Sequence, residues 1–137
     1  MKARTEILIS LAAVMVISTI SHFSVKANEK KPADMMDGQL HQVECTAYCY
    51  SGRDTASGDK TIEGLTMAGA REWIGSTCVL YDENKQFLGY YKISDTGYGR
   101  DGDIERGETV DLYMSSESDC DAWGRRTVYI QIIPSEG

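Results

Sequence analysis

Beyond residue 43, apolar and polar side chains alternate in short runs broken by glycine and charge, a period of two that predicts β-strands. The runs are "VECTAYCY" (43–50), "STCVLYDENKQFLGYYKIS" (76–94) folded about a turn at Glu83, Asn84 and Lys85, "TVDLYM" (109–114) and "RTVYIQIIP" (126–134). One helix is signalled in "SESDCDAWG": Ser115 or Ser116 caps it, Glu117 and Asp119 suit its N-terminus, and Gly124 ends it. A weaker helical turn falls in "MAGAREWIG" (67–75). Many short strands with glycine turns in a small domain predict a closed β-barrel, because closure leaves no free sheet edge.

The first 27 residues follow a different pattern. Lys2 and Arg4 precede an apolar run from Ile7 to Ile20, and Val25 and Ala27 are spaced like a signal-peptidase site. The apolar run is 14 residues long, short of the roughly 20 of a spanning helix. A cleaved secretory signal is therefore favoured over a retained anchor, with the membrane a partner only before cleavage. Residues 28–42 are polar, contain a proline and lack a sustained period, which predicts a flexible tether, with the folded domain spanning 43–137. Of the 14 Lys+Arg and 21 Asp+Glu, the leader holds three and one, leaving 11 against 20 and a net charge of −9. Such a balance repels phosphate and argues against nucleic acid.

An exported chain places Cys45, Cys49, Cys78 and Cys120 in an oxidising setting, and two disulfides are the favoured reading. Extended backbone holds Cys45 and Cys49 about 13 Å apart, so each is expected to pair with Cys78 or Cys120. A zinc site is the less favoured alternative: no CxxC occurs, and His41 lies in the polar lead-in as a solvated residue. No metal or other cofactor is expected.

Two acids stand out. In "TVDLYM", Val110, Leu112 and Met114 share one face, so Asp111 and Tyr113 take the other. Asp95 ends the preceding β-run and opens "DTGYG", a sharp glycine turn. The two are placed to converge on one cleft, and an ordinary turn aspartate with a solvated strand aspartate is the plain alternative. Tyr48, Tyr98, Tyr113 and Trp73 are candidate stacking rings, Thr55, Thr96 and Gly97 are candidate binding contacts, and Trp123 suits packing of the helix on the barrel.

The ordered set "TAYCYSG", "TASG", "WIGS", "SDTG", "VDLYM", "AWG" and "VYIQII" resembles the three-aspartate domain family of secreted bacterial proteins, over about Glu44 to Ile133. This family is similar to the catalytic barrel of membrane-bound lytic transglycosylase A. The resemblance implies a mainly β, six-stranded double-psi β-barrel with one or two short helices. It also implies cleavage of peptidoglycan glycan strands between N-acetylmuramic acid and N-acetylglucosamine to leave a 1,6-anhydro sugar. The family's "D-T-G" aspartate matches Asp95, and its strand aspartate, the general acid, matches Asp111. The first family aspartate has no counterpart in Met67–Gly75, where Glu72 is the nearby acid, and "YGRDGDIERGE" is longer than the family turn. A non-catalytic wall-binding barrel and an envelope or spore interaction module are the other readings.

The chemistry sets a demand on Asp111. A proton held near neutral pH requires a pKa well above the unperturbed 3.9, and two units cost about 2.7 kcal/mol of charged-state destabilisation. Burial and a neighbouring carboxylate such as Asp95 are the expected sources.

Overall fold

The computed structural model describes residues 30–49 and 54–136, and the expected secretory leader lies outside them. Six strands form: β1 (Leu40–Tyr48), β2 (Thr66–Ala68), β3 (Thr77–Tyr81), β4 (Phe87–Asp95), β5 (Thr109–Tyr113) and β6 (Arg126–Ile133). One α-helix, α1 (Glu117–Trp123), and three short 3-10 turns (Pro32–Met35, Arg71–Trp73, Arg100–Gly102) complete the described elements. Ser116 caps α1 by accepting the Asp119 N–H at 3.2 Å, and Gly124 ends it at φ +65°, where a side chain is disfavoured.

The strands close into a barrel in the order β1-β5-β2-β4-β3-β6 and back to β1. Two pairs, β1 with β5 and β2 with β4, are parallel, and the other neighbours are antiparallel. Among neighbours only β3 and β4 are consecutive in the chain, so every other pairing is made by a connection that crosses to another part of the barrel. This closed six-stranded barrel is the fold that the family resemblance implies.

Period-two alternation fills it. Val43 and Cys45 of β1, Met67 of β2, Cys78 and Leu80 of β3, Ile93 of β4, Val110 and Leu112 of β5, and Val128, Ile130 and Ile132 of β6 make one buried core. Each aliphatic side chain of this kind contributes about 1.5–3 kcal/mol by leaving water. Trp73 joins this core without any exposed surface. Gly107, at φ +77°, lies so close that a Cβ there would meet the indole at 2.9 Å.

Three expectations are corrected. The lead-in is not a tether throughout: the compact unit starts at Lys31, Met35 is buried, the Pro32 carbonyl accepts the Trp73 indole N–H at 2.7 Å, and β1 begins at Leu40. Polarity hid this docking, because the anchors are one methionine and one backbone carbonyl. His41 also leaves solvent, meeting Asp37 Oδ1 at 2.8 Å.

The four cysteines are free thiols, so neither expected disulfide is present. Cys45 and Cys78 occupy inward positions of β1 and β3 and serve as core hydrophobes. Burial, with Asp111 as a secondary cause, pushes the Cys45 thiol up to about 12, and burial raises Cys78 as well. Burial, and then the neighbouring Cys49, raise the Cys120 thiol.

Replacing Trp73 by Phe keeps the ring but strands the Pro32 carbonyl. The variant should lose about 1–2 kcal/mol in urea unfolding and become more easily cleaved by protease at residues 31–36.

Candidate active site

The outer face of four neighbouring strands carries the two acids in one row. Thr46 of β1 lies opposite Asp111 of β5, Asp111 opposite Ala68 of β2, and Ala68 opposite Asp95 of β4. One strand therefore separates the acids, and strand spacing puts their Cα atoms roughly 10 Å apart.

Asp95 reaches this face through an irregularity. Between Met67 and Ala68 the pairing with β4 jumps from Ile93 to Asp95, so Ser94 is an extra residue. Strict alternation from the core residue Ile93 would send Asp95 inward; the bulge returns it to the outer face.

The hydrogen bonding of the two acids differs sharply. Asp95 accepts three bonds: the Tyr48 hydroxyl on Oδ2 at 3.1 Å, and the Ala56 and Thr96 amides on Oδ1 at 3.1 and 2.9 Å. It thereby fastens the 54–59 loop to the barrel, together with the Ser57 N–H on the Ser94 carbonyl. Asp111 accepts one side-chain bond among the described residues, from the Thr46 hydroxyl at 3.0 Å. Burial pushes the Asp111 carboxyl up to about 6; the Thr46 bond and Arg125 pull it down, while Asp103 and then Asp95 add to the rise. The shift is thus mainly desolvation, and the nearest acid in effect is Asp103 rather than Asp95.

Tyr48 and Tyr113, paired on β1 and β5, meet edge to face with ring centroids 5.7 Å apart beside the acids. Burial and Asp95 raise the Tyr48 hydroxyl well above the usual tyrosine value, which keeps it a donor. A groove of about 330 Å3 opens next to Tyr113, lined also by Asp54, Lys60 and Thr61. A larger groove of about 530 Å3, lined by Trp123, Arg125 and the β3–β4 turn, contains neither Asp95 nor Asp111.

The other candidates separate. Thr55 is buried, and its hydroxyl donates to the Asp59 carbonyl at 2.8 Å, so it shapes the loop. Thr96 supplies an amide to Asp95, and Gly97 is exposed with open space around it. Trp73 belongs to the core, Tyr98 is 66% exposed on the following loop, and Glu72 lies exposed in the Arg71–Trp73 turn outside the row. Trp123 packs on the core and donates to the Cys45 carbonyl at 3.3 Å, as expected. Sequence reasoning missed Thr46, Asp103 and Arg125. Thr46 was legible in principle, two residues before Tyr48 on the same strand face. No group of acids, histidines and cysteines able to hold a metal is formed among the described residues.

No family model matches the sequence, and no curated protein does. Solved structures do match the fold. Lytic transglycosylases are among the solved structures it resembles. MltA from E. coli aligns at 16% identity and TM-score 0.46 over 64% of this chain, and a second crystal structure of MltA from Escherichia coli at 18% and 0.44 over the same share. The membrane-bound lytic murein transglycosylase from Agrobacterium tumefaciens aligns at 15% and 0.45 over 61%. The chain spans only 26–29% of the length of these proteins.

Asp111 gives a sign-definite test of its environment. An unfolded aspartate releases its proton near 3.8 and the native one near 6, so between these values the native state holds a proton that the unfolded chain has lost. Stability contributed by this group is complete below the lower value and falls as pH rises through the upper one. Asp111→Asn should therefore unfold at higher urea than wild type at pH 7.5, by up to about 3 kcal/mol, with the gain vanishing near pH 3.5.

Proposed function

We propose that this barrel is a secreted lytic transglycosylase of peptidoglycan, cleaving the bond between N-acetylmuramic acid and N-acetylglucosamine, with Asp111 as general acid. The observation that carries the reading is a half-buried carboxyl, kept protonated to about 6, on a face that also presents Thr46, Tyr48, Tyr113 and Asp95. The ordered motifs around Asp95 and Asp111 agree with it.

Proton accounting needs one group. Asp111 gives its proton to the glycosidic oxygen as the bond to C1 breaks; the muramic C6 hydroxyl closes on C1, and its proton returns to the carboxylate left behind. No water is consumed, so the second carboxylate required of a hydrolase as nucleophile or base is not required here. Asp95 holds Tyr48 and the 54–59 loop in place and offers negative charge to the ring as it becomes cationic. Export through the 1–27 leader would bring the domain to the wall.

One observation favours a non-catalytic wall-binding barrel instead: Ala68 stands between the two acids, in the stretch where the family carries its first aspartate. Purified sacculi incubated with the mature domain separate the readings. The enzyme releases soluble fragments with 1,6-anhydro ends, read by mass spectrometry, and Asp111→Asn lowers the release at least about 100-fold while still sedimenting with sacculi. Sedimentation by wild type without soluble products would establish the binder.

A further inference from the structure

The loop between Asp95 and Asp111 builds a second charged assembly. Its chain folds back at Gly99, whose φ of +77° and contact with Asp103 leave no room for a Cβ, and Asp101 takes φ +55°. The result is an aspartate whose side chain is only 11% exposed: Asp103 accepts the Arg100 N–H on Oδ1 at 2.7 Å, and the Thr109 hydroxyl at 2.9 Å and Arg125 Nη2 at 3.2 Å on Oδ2. Arg125 Nη1 also donates to the Thr109 hydroxyl at 3.3 Å. Burial pushes the Asp103 carboxyl up, but these donors outweigh it and hold it below the usual range.

Thr109 precedes Asp111 by two residues on one strand face, about 7 Å away. The guanidinium is therefore parked one step along the strand from the acid. The other groups around Asp111 are Thr46, Tyr48 and Glu44 on β1, with the Cys45 thiol in the core, Asp95 on β4, Tyr113 on β5 and Cys120 on α1; β2 offers only Ala68. Arg125 is a cation that acts on Asp111 and lowers its pKa. A guanidinium free to reach Asp111 would form a direct ion pair and displace its proton.

We propose that Asp103, with Thr109, is a positioning residue that captures Arg125 and so prevents it from pairing with Asp111. The long loop is then part of the acid's machinery. This deepens the proposed activity, but the titration of Asp111 requires no substrate.

The experiment follows the side-chain carboxyl of Asp111 by carbon-13 NMR in the folded domain, assigned by its loss in Asp111→Asn. Asp103→Asn should lower the midpoint by about half a unit or more, and Arg125→Gln should raise it. Capture predicts that the effect of Asp103→Asn shrinks markedly when Arg125→Gln is already present. An equal fall in both backgrounds, or no fall, would overturn the proposal. Should Asp103→Asn not fold, Thr109→Val, which removes the other acceptor of Arg125, should lower the midpoint with Arg125 present and not in Arg125→Gln, and an equal effect or none in both backgrounds overturns the proposal. Shifted midpoints without wall digestion would remove the activity and leave the capture standing; digestion with unshifted midpoints would do the reverse.

Discussion

One extra residue in β4 determines whether this barrel has a paired-acid face at all. Ser94 breaks the alternation that packs Ile93 inside, and Asp95 emerges on the outer surface level with Ala68 and Asp111. A strand without the bulge would aim this carboxylate into an apolar core, where an unpaired charge costs several kcal/mol. The loop 54–59 and the Tyr48 hydroxyl both bind to Asp95, so they too depend on that local shift.

The environments of the two acids imply different work. Asp95 is an acceptor fixed by three donors and acts as an organiser of neighbouring backbone and ring. Asp111 has one donor and a desolvated setting that favours the neutral form. With an intervening strand between them, they are not a pair sharing one proton, as two carboxylates in contact would be. The separation also explains why Asp95 contributes less to the rise of Asp111 than Asp103 does.

How much of this was legible in the chain depends on the range of the interaction. "TVDLYM" declared its faces, since Val110 and Leu112 enter the core while Asp111 and Tyr113 stay outside, and the capped helix after Ser116 was equally local. Thr66–Ala68 was missed because three wholly buried residues show no alternation. The bulge at Ser94 is defined only by its partner strand, and the Asp103–Arg125 pair joins residues 22 positions apart. The cysteines misled through compartment: inferred export argued for disulfides, whereas the inward register of Cys45 and Cys78 gives both thiols a packing role.

Ala68 shows what the site does without a third acid. A carboxylate at the middle of the row would lie about 5 Å, in Cα spacing, from each of its strand neighbours and would favour protonation of Asp111 by repulsion. An alanine removes that contribution and its desolvation cost together. The proton on Asp111 must then rest on burial, which is the largest influence acting on it, and on the withholding of the nearby guanidinium. A design that relies on desolvation is sensitive to water entering the groove beside Tyr113. Under the proposed activity, a sugar ring lying there would exclude that water and so strengthen the hold of Asp111 on its proton.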